Sequence, residues 1–306
     1  MNELYLINID NRYGFIDNDG KFVIEPVYTS ANEFSEGLAH VITLDNTKGY
    51  INTNNEMVIK LDASFYDDFH EGLACVTLDK TSGYINSEGK FVIEPIYSYA
   101  SQFGNGTASV KLGDKAAIIN KQGDYIIAPK YDNISNFSED YAVATLNNTA
   151  GFINRDGEEV IDFKFQSAYS FSEGLSCARV DGKWGFINKT GEFVITPKYY
   201  YAESFKNGYA KVTINPDGGI GFIDRFGNEI IKDDFYYAED FSEGLSAAGY
   251  YNVGFGFINP QGEFVINPIF NVAHSFHNGV ALVVYRGVWG YIRKDGSWIY
   301  KPENLK

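Results

Sequence analysis

Few side chains in this 306-residue sequence have the type and spacing that chemistry requires. The histidines are His40, His70, His274 and His277. His274 and His277 share a spacing used in metal sites, but zinc needs further Cys, His or carboxylate ligands, and neither a nearby cysteine nor a clear third ligand accompanies them. They read as exposed connector residues. Asp17-Asn18-Asp19-Gly20 has the opening of a calcium loop without its terminal bidentate glutamate, and it recurs as Asn154-Arg155-Asp156-Gly157, so a hairpin turn is expected instead. The two cysteines, Cys75 and Cys177, occupy equivalent places where other units carry Ser109, Val143 or Ala247. That pattern predicts small buried residues and no disulfide or reactive thiol. No phosphate-cradling glycine loop with its lysine and no Gly-x-Ser-x-Gly elbow is present. The expectation is a protein without catalytic, cofactor-binding or metal-binding residues, and not an enzyme.

Two features could bind a partner. An acidic position recurs as Glu36, Glu71, Glu139, Glu173 and Glu243, which repetition would place along one edge as a possible partner-binding row. The plainer reading of that row is a solvated turn residue that keeps the repeats soluble. The second is the surplus of 23 Tyr and 24 Phe, with Tyr199-Tyr200-Tyr201 and Tyr236-Tyr237 expected in connectors, where rings can stack on sugars or peptides if they do not serve the core.

The elements that carry these residues repeat. A Gly-aromatic-Ile element begins at Gly14, Gly49, Gly83, Gly151, Gly185, Gly221, Gly256 and Gly290, and Ala117-Ile118-Ile119 holds the same place without the aromatic, all in steps of 34 to 36 residues. A turn glycine follows six residues on, from Gly20 to Gly296, replaced only by Asn55; both types tolerate the positive φ of a tight hairpin. A proline follows a Val-Ile pair at Pro26, Pro95, Pro129, Pro197, Pro268 and Pro302, and lacking an N–H it is expected to end the strand. The third anchor is Phe34, Phe69, Phe103, Phe137, Phe171, Phe205, Phe241 and Phe276, usually followed by a Ser-Glu-Gly-Leu-like tetrad.

Each unit therefore predicts three strands, of the types Leu38–Ile42, Tyr50–Asn52 and Phe91–Pro95, in an antiparallel meander. The segment from Tyr97 to Phe103 is too short for a helix beyond one turn and should carry the chain to the next unit. Five residues after each anchor phenylalanine stand Ala39, Ala74, Ala108, Ala142, Ser176, Ala210, Ser246 and Ala281, which implies a crowded first strand. The aromatic and Ile of the second strand are adjacent and so point to opposite faces, yet both are apolar; both faces of each sheet should be covered by neighbours. Helical repeats of similar period are excluded by the glycines, prolines and β-branched runs. Four-stranded blades usually need forty or more residues. The expected architecture is all-β, a single domain over 1–306 built of nine three-stranded meanders in an open superhelical, propeller-like spiral, with a closed β-propeller ring as the alternative.

Asp181-Gly182-Lys183-Trp184-Gly185-Phe186-Ile187-Asn188, with Val288-Trp289-Gly290-Tyr291-Ile292, resembles the bacterial WG (KWG) repeat, and the likeness covers essentially the whole chain. Most units replace the tryptophan, with Tyr13, Lys48, Ser82, Ala116, Ala150, Ile220 and Phe255, which makes it a packing choice here. The resemblance implies a bacterial β-repeat protein and brings no catalytic residues.

With 25 basic and 40 acidic residues the net charge is −15, which disfavours nucleic acid as a partner. No apolar run approaches the roughly 18 to 20 residues that cross a bilayer, and the N-terminal residues lack the features of a signal peptide; a cytoplasmic location is expected. The sequence thus predicts a non-enzymatic scaffold for a protein or peptide partner. The alternative is a carbohydrate or cell-envelope binding module using the tyrosines.

Overall fold

A computed structural model describes residues 3–301, so Pro302 lies outside the described residues. The chain divides into two compact units, Met1–Phe163 and Lys164–Lys306. Both are built from one kind of sheet, and the described residues contain no helix.

The sheet containing Trp184 shows the plan. Its strands are Ser167–Ala168, Ser176–Val180, Lys183–Ile187 and Phe193–Tyr199, antiparallel and in chain order. Among the described residues eight of the nine sheets have four strands, and the first shows three, beginning at Tyr5. The expectation of three strands per unit is thereby corrected. The segment read as a plain connector contains a two-residue strand, such as Tyr99–Ala100, that pairs with the following unit's first long strand. Four strands fit into about 34 residues because one of them is so short. Four-stranded meanders of this kind are propeller blades, so the propeller, held as the alternative, is favoured over a spiral of three-stranded meanders.

The proline does not end its strand. Tyr199 pairs with Trp184 and Ile195 with Phe186, so four steps on one strand match two on the other, and Pro197 sits in the resulting bulge where a missing N–H costs no ladder bond. The bulge also explains the glycine. A Cβ on Gly185 would lie 2.6 Å from the Ile195 carbonyl oxygen and 2.7 Å from the Pro197 nitrogen, because the bulged backbone crosses directly over it. Gly83 meets Pro95 in the same way. Glycine and proline are two halves of one device.

The hairpin turns are built by the Asn or Asp that follows the Ile, except after Ile292, where Arg293 stands and Asp295 accepts the Ser297 amide. The Asn188 side-chain oxygen accepts the Thr190 amide at 3.0 Å and the Glu192 amide at 3.1 Å. Asp17 does the same with Asp19 and Lys21, so the calcium-like segment is a turn, as expected.

Packing between consecutive sheets supplies the core. The small column is fully enclosed, with Ala39, Ala74, Ser176 and Ser246 at 0% exposure. The aromatic residue of the middle strand meets the anchor phenylalanine ahead of the next sheet at Phe15, Tyr50, Tyr84, Phe186, Phe222 and Phe257. Tyr84 lies 4.7 Å from Phe103 within the first unit, and Phe186 lies 4.8 Å from Phe205 within the second, ring centre to ring centre. Phe186 and Ile187, on opposite faces, are both buried, as expected. The last strand differs, because it buries Ile195 and Tyr199 and leaves Val194 half exposed.

If the bulge crossing fixes the glycine, Gly185→Ala lowers the unfolding midpoint by an amount corresponding to about 1–3 kcal/mol of overpacking. Ala117 occupies the same place in another repeat, so Ala117→Gly serves as the reverse test and should relieve crowding there. Unchanged midpoints in thermal or urea unfolding for both variants would show that the bulge yields freely.

Candidate functional site

All five glutamates of the acidic row sit in the tight turn after the anchor phenylalanine. Their φ values lie between 50° and 55°, a region that costs a non-glycine residue energy. The side chains show what that strain supports. Glu36 accepts the amides of Glu71 and Gly72, both at 2.8 Å, from the equivalent turn one unit on. Glu71 reaches Gly106, Glu173 reaches Gly208 and Glu243 reaches Gly279, each at 3.0–3.3 Å. The preceding serine joins the link, since Ser35, Ser172 and Ser242 each donate at 2.6 Å to the next anchor phenylalanine's carbonyl. Where the turn carries asparagine, which tolerates positive φ better, Asn207 donates to the Phe241 carbonyl at 2.7 Å.

Lysines reinforce two of these turns. Lys121 lies 3.2 Å from Glu71 and Lys294 lies 2.8 Å from Glu243. The Lys294 hydrogen bond holds the Glu243 carboxyl below its ordinary range. The row therefore runs turn to turn at the surface, with its carboxylates engaged by neighbouring backbone.

The cysteines are buried and free, as expected, but they do more than fill space. Cys75 donates to the Ala100 carbonyl and Cys177 to the Ala202 carbonyl, both at 3.6 Å, where Ser109 donates to Ile134 at 2.6 Å. Each is a donor to the next sheet's two-residue strand. Burial pushes the Cys75 thiol up to about 12, so it remains protonated at neutral pH. His40 holds the same column and stacks on Tyr66 at 4.2 Å, and burial pushes its imidazole down to about 4.

Two clefts open beside the two-residue strands. One, in the first unit, has a volume of about 730 Å³ and lies between Phe65, Asp67, Ser82, Tyr99, Gln102 and Asn136. The other, in the second unit, is about 640 Å³ and includes Tyr169, Tyr201, Glu203, Lys206 and Asp240. The connector tyrosines divide accordingly: Tyr200, Tyr201, Tyr236 and Tyr237 are exposed, whereas Tyr199 is core. Sequence reasoning missed Asp67, Glu203 and Glu239. They share the column just after the two-residue strand, occupied elsewhere by Asn32, Ser101, Ser135, Tyr169 and His274. That column is visible only once the short strand is recognised, because its residue type changes from unit to unit.

In the second unit this column forms a charged network. Lys211 lies 2.8 Å from Glu203 and 3.2 Å from Asp240. Glu239 accepts Tyr237 at 3.0 Å and the Ser275 amide at 2.6 Å, and His274 is exposed, as expected of a connector residue, with its Nδ1 at 3.4 Å. Partial burial alone would push Glu239 up, but hydrogen bonds from His274, Ser275 and Tyr237 outweigh it and hold the carboxyl at about 2, against an ordinary 4.5. A carboxyl depressed in the folded state stabilises fully above its unfolded pKa and loses that contribution as pH falls through the folded one. The unfolding midpoint of Glu239→Gln should therefore lie furthest below the unmodified protein's above pH 4.5, with the gap closing as pH falls towards about 2. A gap independent of pH would contradict the network.

No curated protein sequence matches the chain. In three dimensions it is similar to Hsv2p of Kluyveromyces lactis, at 10% identity and a TM-score of 0.49 over 76% of this chain and 96% of that one. It is also similar to BamB of Moraxella catarrhalis, at 11% identity and a TM-score of 0.46 over 97% and 94%. Eight segments, 13–42, 49–81, 83–115, 118–149, 151–184, 184–215, 220–249 and 255–289, match the WG containing repeat. Each matched segment opens near the Gly-aromatic-Ile strand and runs into the following sheet, so nine anchors give eight segments, and with more than half of its length matched the chain belongs to the WG repeat family.

Proposed function

We propose that the chain is a non-enzymatic scaffold that binds a protein or peptide partner along the edges where its two-residue strands lie. The observation that carries this reading is the recurrence of large exposed side chains at the first residue of those strands: Phe65 and Tyr99 in the first unit, Tyr201 and Tyr237 in the second. Aromatic side chains flanked by polar groups are the usual anchors of protein interfaces. Residue types capable of catalysis are engaged in structure: the thiols and several serines bond neighbouring carbonyls, and Glu239 is tied to Ser275. The glutamate row adds a fixed negative rim, and under this proposal it steers a partner more than it grips one.

The test is chemical crosslinking of the immobilised full chain in extract of its native cell, followed by identification of the crosslinked peptides. A reproducible protein partner is expected, linked near these edges. Its capture should fall about tenfold or more when Tyr99, Tyr201 and Tyr237 are changed to Ala. Capture should also weaken with salt and with Gln at Glu36, Glu71, Glu139, Glu173 and Glu243. Indifference to both salt and those changes would remove the acidic row from the account. Tyrosine quenching by polysaccharide, with no protein captured, would favour the carbohydrate alternative.

A further inference from the structure

The cleft of about 730 Å³ in the first unit contains an electrostatic imbalance. Asp67 is half-buried in its wall. One carboxylate oxygen accepts the neighbouring Asp68 amide at 3.0 Å, and among the described residues Asp67 forms no ion pair. Neither Lys nor Arg lines the cleft. Asp68 is turned to Asn32, whose amide group it accepts at 2.9 Å. Burial holds the Asp67 carboxyl above its ordinary range, with the Asp68 charge adding to the effect and the Asp68 amide and His70 opposing it. A desolvated carboxylate without a counter-charge is costly, and natural structures tolerate one where a ligand or a reaction uses it.

The rest of the lining suits a cation. Cys75 is neutral, and Thr77 and Ser82 share a hydrogen bond at 2.9 Å, so Asp67 is the only charge in the wall at neutral pH. Phe65 and Tyr99 are half exposed at the rim, where an aromatic face attracts a guanidinium. Gln102 and Ser98 offer further acceptor oxygens. The second unit gives the contrast: there Lys211 already neutralises Glu203 and Asp240. The first-unit cleft has the acid without the lysine.

We infer that this cleft seats an arginine side chain of an extended cationic peptide, with the guanidinium on the Asp67 carboxylate and flanked by Phe65 and Tyr99. The inference rests on the scaffold reading and names the partner chemistry of one of its edges. Planar, multiply donating guanidinium matches a carboxylate with neighbouring oxygens better than a point-charge ammonium does.

The test is NMR titration of the full chain with a capped Gly-Gly-Arg-Gly-Gly peptide, following the amides of residues 65–68, 98–102 and 134–136. Parallel titrations use the lysine and citrulline peptides and maltotriose. Saturable shifts confined to these amides are expected with arginine, weaker ones with lysine and none with citrulline. Asp67→Asn should weaken arginine binding about tenfold or more, whereas Asp19→Asn, which removes an exposed turn carboxylate, should leave it unchanged. The Asp67→Asn midpoint of unfolding should not fall, because an unpaired acid is being removed. Tyr99→Ala supplies an independent loss of affinity should Asp67→Asn fold poorly. Equal binding of citrulline, or undiminished binding by Asp67→Asn, would overturn the inference. Failure of the arginine peptide alongside capture of a protein partner would overturn it and leave the scaffold reading standing. Maltotriose binding in place of peptide would overturn both.

Discussion

Among the described residues no sheet covers its own two faces. Most middle strands carry an aromatic residue and an isoleucine side by side, pointing opposite ways and both buried, as with Phe186 and Ile187, and Ile118 with Ile119 fills the same two places in one repeat. The contact that resolves this is the aromatic ring against the anchor phenylalanine of the following segment, repeated in Tyr50 with Phe69, Tyr84 with Phe103 and Phe257 with Phe276. Everything else in the repeat serves that stacking. The small column lets the first long strands approach, the glycine lets the bulge cross, and the bulge admits the proline where no ladder bond is needed.

A second consequence concerns where function can reside. The recurrent polar residues resemble a binding row, yet each is occupied. The glutamates hold the next turn's amides, the serines hold the next anchor's carbonyl, and the Asn or Asp of each hairpin closes its own turn. Glutamate at positive φ is an unfavourable choice locally, and its use at Glu36, Glu71, Glu173 and Glu243 is intelligible through the neighbouring amides it reaches. Positions that recur are thus spent on assembly. The residues free to differ between repeats, such as Asp67, Tyr99 and Glu239, lie in or beside the two-residue strands, where two clefts open.

This division explains what was legible in the sequence. The period, the strand-forming segments, the crowded first strand, the burial of Cys75 and Cys177 and the turn nature of Asp17–Gly20 follow from spacing and residue type alone. The two-residue strand does not, because two residues such as Tyr99 and Ala100 carry no periodicity. Proline suggested a strand end at Pro95 and Pro197 because a bulge leaves no mark in a one-dimensional pattern. Charge recurrence at the glutamates was visible, but the partner of each carboxylate lies 35 or 36 residues away as a backbone amide, which composition does not reveal. The cleft residues escaped for the opposite reason, being irregular within a regular array.

The account's central claim, that recurrent side chains tie each unit to the next, is tested most directly by amide hydrogen exchange at the turn that Glu36 engages. In Glu36→Ala the amides of Glu71 and Gly72 should exchange much faster than in the unmodified chain, while the Gly208 and Gly279 amides, held by Glu173 and Glu243, keep their protection. Unchanged exchange at Glu71 and Gly72 would contradict the claim, because those amides would then owe nothing to the carboxylate one repeat away.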